Sequence, residues 1–171
     1  GAVSGTIGHD FTQAERPAMN IHPFLLFFHV AGVVVWVGGM FFAYVCLRPE
    51  AASQLEPPPR LRLWRGVLAR FFTWVWVAVA AVLASGVALL LRTGFAAAPL
   101  YQHIMFLMGL VMIAIYVFVY FVPYAALSKA VAAEEWKAGG AALGRIRQLV
   151  GTNLTLGFLT IAVGTLGRWL G

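Results

Sequence analysis

The sequence predicts an all-α integral membrane protein, a four-helix bundle, and three observations carry that expectation. Four apolar stretches, Pro23 to Leu47, Gly66 to Leu91, Pro99 to Leu127 and Leu149 to Leu170, each reach the ~20 residues needed to cross a ~30 Å hydrocarbon layer. The chain is 61% hydrophobic and 11% charged, with a mean hydropathy of +0.85, more apolar surface than a water-soluble fold of 171 residues could cover. No Asp, Glu or Lys falls inside any of the four stretches. Charges at membrane depth are costly, so their absence is what a lipid-facing bundle requires.

These stretches divide the chain into a polar tail over residues 1–20 and one membrane domain over 21–171, with spans near 22–47, 66–91, 99–127 and 149–170. The tail lacks an apolar core and is not read as a signal peptide. Met19 suits a native start, so residues 1–18 are read as in part a cloning or processing remnant. The linkers are too short for a second domain. A single cysteine, Cys46, excludes an internal disulfide and a multi-cysteine metal cluster.

The net charge of +6 is topogenic rather than a nucleic-acid footprint. Arg48, Arg60, Arg62, Arg65 and Arg70 surround the first connection, and Lys129, Lys137, Arg145 and Arg147 surround the third. Only Arg16, Arg92 and Arg168 lie on the other side. The excess of basic residues marks the cytoplasmic side, which places both termini in the periplasm of a bacterial inner membrane. The expected partner is the lipid bilayer, whose anionic headgroups these residues can attract.

Each helix has its own signals. The first opens at Ile21-His22-Pro23, proline suiting a first turn, and is expected to close near Arg48-Pro49. Gln54-Leu55-Glu56-Pro57-Pro58-Pro59 reads as a stiff, extended spacer. The second helix starts among Trp64, Phe71, Phe72, Trp74 and Trp76, an interfacial aromatic cluster, and ends at Arg92-Thr93-Gly94. The third begins at Pro99 and is expected to kink at Pro123. The fourth places Asn153, Gly157, Thr160, Gly164 and Arg168 at steps of four, three, four and four, a small and polar stripe that predicts close helix contact.

Ionisable chemistry at membrane depth then reduces mainly to histidines. His22 and His29, seven residues apart, share a helix face, and Gly32, Trp36, Gly39 and Ala43 continue it. Small residues with one aromatic wall predict space for a flat ligand. His29 lies roughly 10 Å deeper than His22. His103, just after Pro99, enters from the same side, so three histidines are expected to converge in the periplasmic half. An imidazole in hydrocarbon needs a partner, which makes His29 the leading functional candidate.

Two occupants match this pattern. Heme b takes one or two imidazoles, small residues, aromatic walls and cations near its propionates. His29 with His103 or His22, the Gly32 and Gly39 face, Trp36, and the outer Arg92 and Arg168 meet those needs. Copper prefers imidazole and thioether donors. Met105, Met108 and Met112 form a stripe on the third helix, but Met105 lies about 200° around it from His103, so packing is the better reading of those methionines.

The motifs His29-x6-Trp36-x-Gly38-Gly39-Met40, Arg70-Phe71-Phe72 leading to Ser85-Gly86, and His103 resemble the CopD-like proteins of bacterial inner membranes over nearly all of residues 20 to 170. The resemblance implies an inner-membrane bundle with a part in copper resistance or uptake, in a version shorter than the CopD proteins with additional helices. The pattern is also similar to HemJ, the heme-containing protoporphyrinogen oxidase family, which has a histidine where His29 stands and a His-x-Lys motif in its third helix. Here Met105 stands in place of that lysine, a departure that counts against the oxidase activity and leaves heme binding open.

Three functions stay open on the sequence. The first is a heme b protein for membrane redox or electron transfer, with a heme-dependent oxidoreductase as its enzymatic form. The second is copper binding or transport through His22, His29 and His103, and the third a cofactor-free accessory subunit. A redox partner or a periplasmic copper protein is the expected macromolecular partner, and an oligomer is compatible with each. Hydrolase and transferase chemistry is disfavoured, because no carboxylate, nucleophile and base coincide within the spans.

Overall fold

The computed structural model describes residues 20–169, apart from the side chain of Arg168. Four helices long and apolar enough to cross a membrane make up almost all of it: α1 (His22–Gln54), α2 (Pro57–Thr93), α3 (Leu100–Ala132) and α4 (Trp136–Leu166). They run up-down-up-down. At 31 to 37 residues each is ~50 Å long, well beyond the ~30 Å of hydrocarbon. The excess is at the basic end, where α1 and α3 finish and α2 and α4 begin.

That excess corrects the sequence expectation at both basic connections. α1 runs through Pro49 to Gln54 because a wide π turn over Phe42–Leu47 precedes the proline, relieving the contact its ring would make with the carbonyl four residues back. The triproline is no spacer. Pro57, Pro58 and Pro59 form the first turn of α2, where the backbone N–H groups have no intrahelical acceptor and their loss is harmless. Leu55 and Glu56 are the extended residues between the helices. Pro123 is absorbed in the same way, inside a π stretch over Tyr120–Tyr124.

At the opposite end α2 stops at Gly94, whose φ of 84° is open to glycine and strained for other residues. A single 3-10 turn, Phe95–Ala97, leads to Pro99 and α3. The α3–α4 turn ends on Glu134, whose carboxylate accepts from Arg62 at 3.0 Å. Both partners are exposed, so this pair contributes ~0–1 kcal/mol.

Packing follows two pairs. α1 lies mainly on α2, and α3 on α4. The α3–α4 seam is the small-residue stripe expected from the sequence: Gly157 faces Met112, Gly164 faces Met105, and Thr160 donates to Leu156 and touches Met112. Two methionines of the α3 stripe are thus packed against helix α4, as read from the sequence. The middle of the bundle is filled by Trp36, Phe72, Val75, Tyr116 and Val119, all nearly inaccessible. Phe24, Phe27, Phe28, Val34, Leu100 and Leu107 point outward, the apolar exterior that lipid requires.

Two polar residues are buried, Ser85 and Asn153, and only the second holds an unpaired atom among the described residues. Asn153 is buried to 3% exposure, and its Oδ1 has no hydrogen-bond partner among the described residues. It lines a void of about 10 Å³ with Trp36, Tyr116 and Val119, at the lower limit for a water molecule. An unpaired buried amide costs about 1–3 kcal/mol. Asn153→Leu, similar in size, is therefore expected to raise the unfolding midpoint in detergent by the equivalent of ~1 kcal/mol. A lower midpoint would show that a water already satisfies the amide.

Candidate functional site

His29 is held between α1 and α2. Its Nδ1 lies 3.2 Å from the carbonyl oxygen of Val82 and 3.1 Å from Ser85 Oγ. The Ser85 hydroxyl has one proton, which it donates to the Ala81 carbonyl, so its lone pairs are left to accept. Val82 O can only accept. Nδ1 is therefore the protonated nitrogen, and neutral His29 keeps its lone pair on Nε2. Nε2 has no hydrogen-bond partner among the described residues. Asn153 Oδ1 is the one buried, unpartnered side-chain N or O among the described residues, so the free Nε2 reaches the molecular surface.

The geometry explains the neighbouring motif. Ser85 supplies the acceptor, and Gly86 leaves room for the ring: a Cβ there would stand 3.2 Å from His29 Cε1. Gly32, one turn along from His29, brings the two helices together. A Cβ on it would lie 2.9 Å from the Ala78 carbonyl oxygen and 2.7 Å from Val82 Cγ2. Such an anchored imidazole, one nitrogen donating to a carbonyl and the other free, is the arrangement that metal-binding histidines adopt.

The remaining sequence candidates are placed differently. The flat-ligand space expected along Gly32, Trp36 and Gly39 is filled: Val82 and Ala78 cover Gly32, and the Phe71 ring lies against Gly39. Trp36 is 3% exposed and packs edge-on to Tyr116 at 6.1 Å. Small residues on this face serve helix contact. The three histidines also do not converge. His103 Nε2 lies 3.0 Å from Phe95 O and Nδ1 3.3 Å from Pro99 O, with the ring edge-on to Phe95 at 4.8 Å. Neither of its nitrogens faces open space, so it braces the α2–α3 turn. His22 is exposed at the start of α1, where its backbone N–H donates to Asn20 Oδ1. No group of three or more His, Cys, Asp and Glu able to hold a metal ion occurs among the described residues. Equal depth along helices does not imply a shared azimuth, and Trp36 of α1 reaches Tyr116 of α3 at 6.1 Å between ring centroids.

Arg92 is exposed at the end of α2, and the Arg168 side chain lies outside the described residues. Sequence reasoning missed the aromatic column of α3. Tyr116 donates to the Phe72 carbonyl at 3.0 Å and stacks edge-on against Phe72 and Trp76, with Tyr120 and Tyr124 continuing toward the basic end. The spacing of four between these tyrosines was the available signal.

A family model described as copper resistance protein D matches residues 65–166, more than half of the chain. The chain belongs to the CopD family. The match includes the Val82, Ser85 and Gly86 side of the histidine site, while His29 itself lies before it. Comparison with curated proteins gave no match, and comparison with solved structures gave none. This CopD-family protein is thus a multi-pass membrane protein by family and by its four spanning helices.

Proposed function

We propose that this CopD-family protein carries heme b on His29 for redox chemistry in the bacterial inner membrane, with both termini periplasmic. The observation that carries the reading is the free Nε2 of an imidazole whose Nδ1 is already committed. Heme brings four nitrogens of its own and needs a single protein imidazole. A copper ion needs several converging protein donors, and no group of three or more His, Cys, Asp and Glu able to hold a metal occurs among the described residues. The single-ligand requirement is what favours heme.

Heme bound there would be held by His29 and would supply a one-electron couple. The chain's own residues set the ligand. Val82 O and Ser85 Oγ accept from Nδ1–H, which holds the ring plane and increases electron density at Nε2. Gly32 and Gly86 set the α1–α2 separation that makes those bonds. Arg92, on the same end of the bundle, supplies a cation at the level where carboxylate groups of a ligand would meet water. His22, His103 and Arg168 have no role in this reading.

Copper handling is the second reading, favoured by the family description. A spectrum of protein purified in detergent from heme-sufficient cells, taken oxidised and dithionite-reduced with iron and copper analysis, separates the two. A Soret band with sharp reduced α and β bands and iron stoichiometric with the chain is expected. Colourless protein that retains copper would replace the heme reading with the copper one.

A further inference from the structure

At the basic end α1, α2 and α4 leave a cavity of about 260 Å³ between them. Its lining combines three arginines, Arg48, Arg60 and Arg147, with Trp64, Trp136 and buried Leu61. No acidic side chain among the described residues lines it. The ion pair seen at this end, Arg62–Glu134, uses an arginine outside the lining, so none of the three lining arginines is neutralised by a carboxylate among the described residues. Arg48 instead lies over the Tyr44 ring at 5.0 Å. Nine basic residues at this end face four glutamates, Glu50, Glu56, Glu134 and Glu135.

We propose that this cavity is a specific site for one anionic phospholipid, its phosphodiester held by Arg48, Arg60 and Arg147 and its first acyl carbons against Trp64 and Leu61. Three features converge on that ligand. Guanidinium forks match phosphate oxygens, and a cavity with no acidic residue leaves them unsatisfied until an anion arrives. The floor is apolar, which a free inorganic anion would not use. The two tryptophans mark headgroup level, where the helices extend past the hydrocarbon. The cavity is open enough to admit a headgroup, with the tails continuing outside along the exposed helix faces. Basic pockets between helix ends recognise anionic headgroups by this chemistry. His29 does not line the cavity, so the site is separate from it and stands without the heme reading.

Native mass spectrometry of the full chain, titrated with phosphatidylglycerol, phosphatidylcholine of the same acyl chains and inorganic phosphate, tests it. A single phosphatidylglycerol adduct is expected, with affinity about 10-fold or more above phosphatidylcholine. Arg60→Gln with Arg147→Gln should abolish that preference, and Arg65→Gln with Arg70→Gln, which alters exposed arginines outside the lining, should keep it. Equal binding of the two lipids, or equal loss in both double variants, would overturn the site in favour of diffuse attraction. Inorganic phosphate binding as tightly as the lipid would overturn it in favour of a simple anion site. Brominated-chain phosphatidylglycerol gives a check that needs no variant: it should quench tryptophan fluorescence of the wild type more than brominated phosphatidylcholine does, and equal quenching would count against the proposal.

Discussion

His29→Gly is expected to abolish the heme spectrum of the purified protein while the bundle stays folded. The ring contributes two hydrogen-bond contacts to α2 and little packing, so its removal empties a slot beside Gly86 rather than opening the core. Glycine in a helix interior costs ~1 kcal/mol, small for a bundle held by its aromatic middle. Added imidazole should enter the slot and restore the Soret band, an outcome that a general folding defect would not give. Ser85→Ala should act more gently, because Val82 O remains as an acceptor. It is expected to weaken heme retention by about 10-fold, the low end of losses seen when a partner of a metal-binding histidine is removed. It should also shift the midpoint potential, which a purely structural serine would leave unmoved. A His29→Gly protein with the wild-type spectrum would remove His29 as the ligand.

Gly32→Leu is expected to lower the unfolding midpoint of the bundle substantially. Its Cβ would stand 2.9 Å from a backbone oxygen, Ala78 O, which is fixed in the hydrogen-bond ladder of α2 and cannot rotate away. Overpacking of this kind typically costs 1–3 kcal/mol, and the helices must separate to relieve it. Separation also pulls His29 from Val82 and Ser85, so heme retention should fall with the unfolding midpoint. Gly38→Ala is the matching control. Nothing lies within 4 Å of a Cβ at Gly38, and alanine should leave the midpoint unchanged or raise it by about 0.5–1 kcal/mol. Equal midpoints for Gly32→Leu and Gly38→Ala would show that the α1–α2 seam is not close-packed there.

The number and order of the helices were legible because hydropathy acts residue by residue and ~20 apolar residues have few other uses. The α4 stripe was legible for the same local reason: small residues at steps of three and four align on one side of any helix. Their partners, Met105 and Met112, were already identified as packing. The basic-end boundaries were not legible. Proline was taken as a helix stop at Pro49 and as a spacer at Pro57, whereas a wide turn before one and a first-turn position for the others make both compatible with helix.

Within the candidate site, His29 was legible from its type and depth, while its partners were not. Val82 contributes a backbone oxygen, invisible in residue identity, and Ser85 reads as an ordinary small residue of a membrane helix until the ring is seen against it. Gly32 and Gly39 were read as empty space because a glycine leaves a gap on its own helix, but whether a neighbour fills that gap depends on the second helix. His103 shows the same limit, its two nitrogens turned into the α2–α3 connection.

By itself the sequence determined that this is a membrane-spanning four-helix protein and which end is basic, and it singled out one deep histidine as a candidate. These are properties of composition and of periodicity along single helices. Tertiary structure decided which helices pair, that the three histidines stay apart, that Nδ1 of His29 is occupied and Nε2 free, and that three arginines share an apolar cavity. Those depend on the rotation of each helix about its own axis. That rotation is set by contacts between residues far apart in the chain, which no local pattern contains.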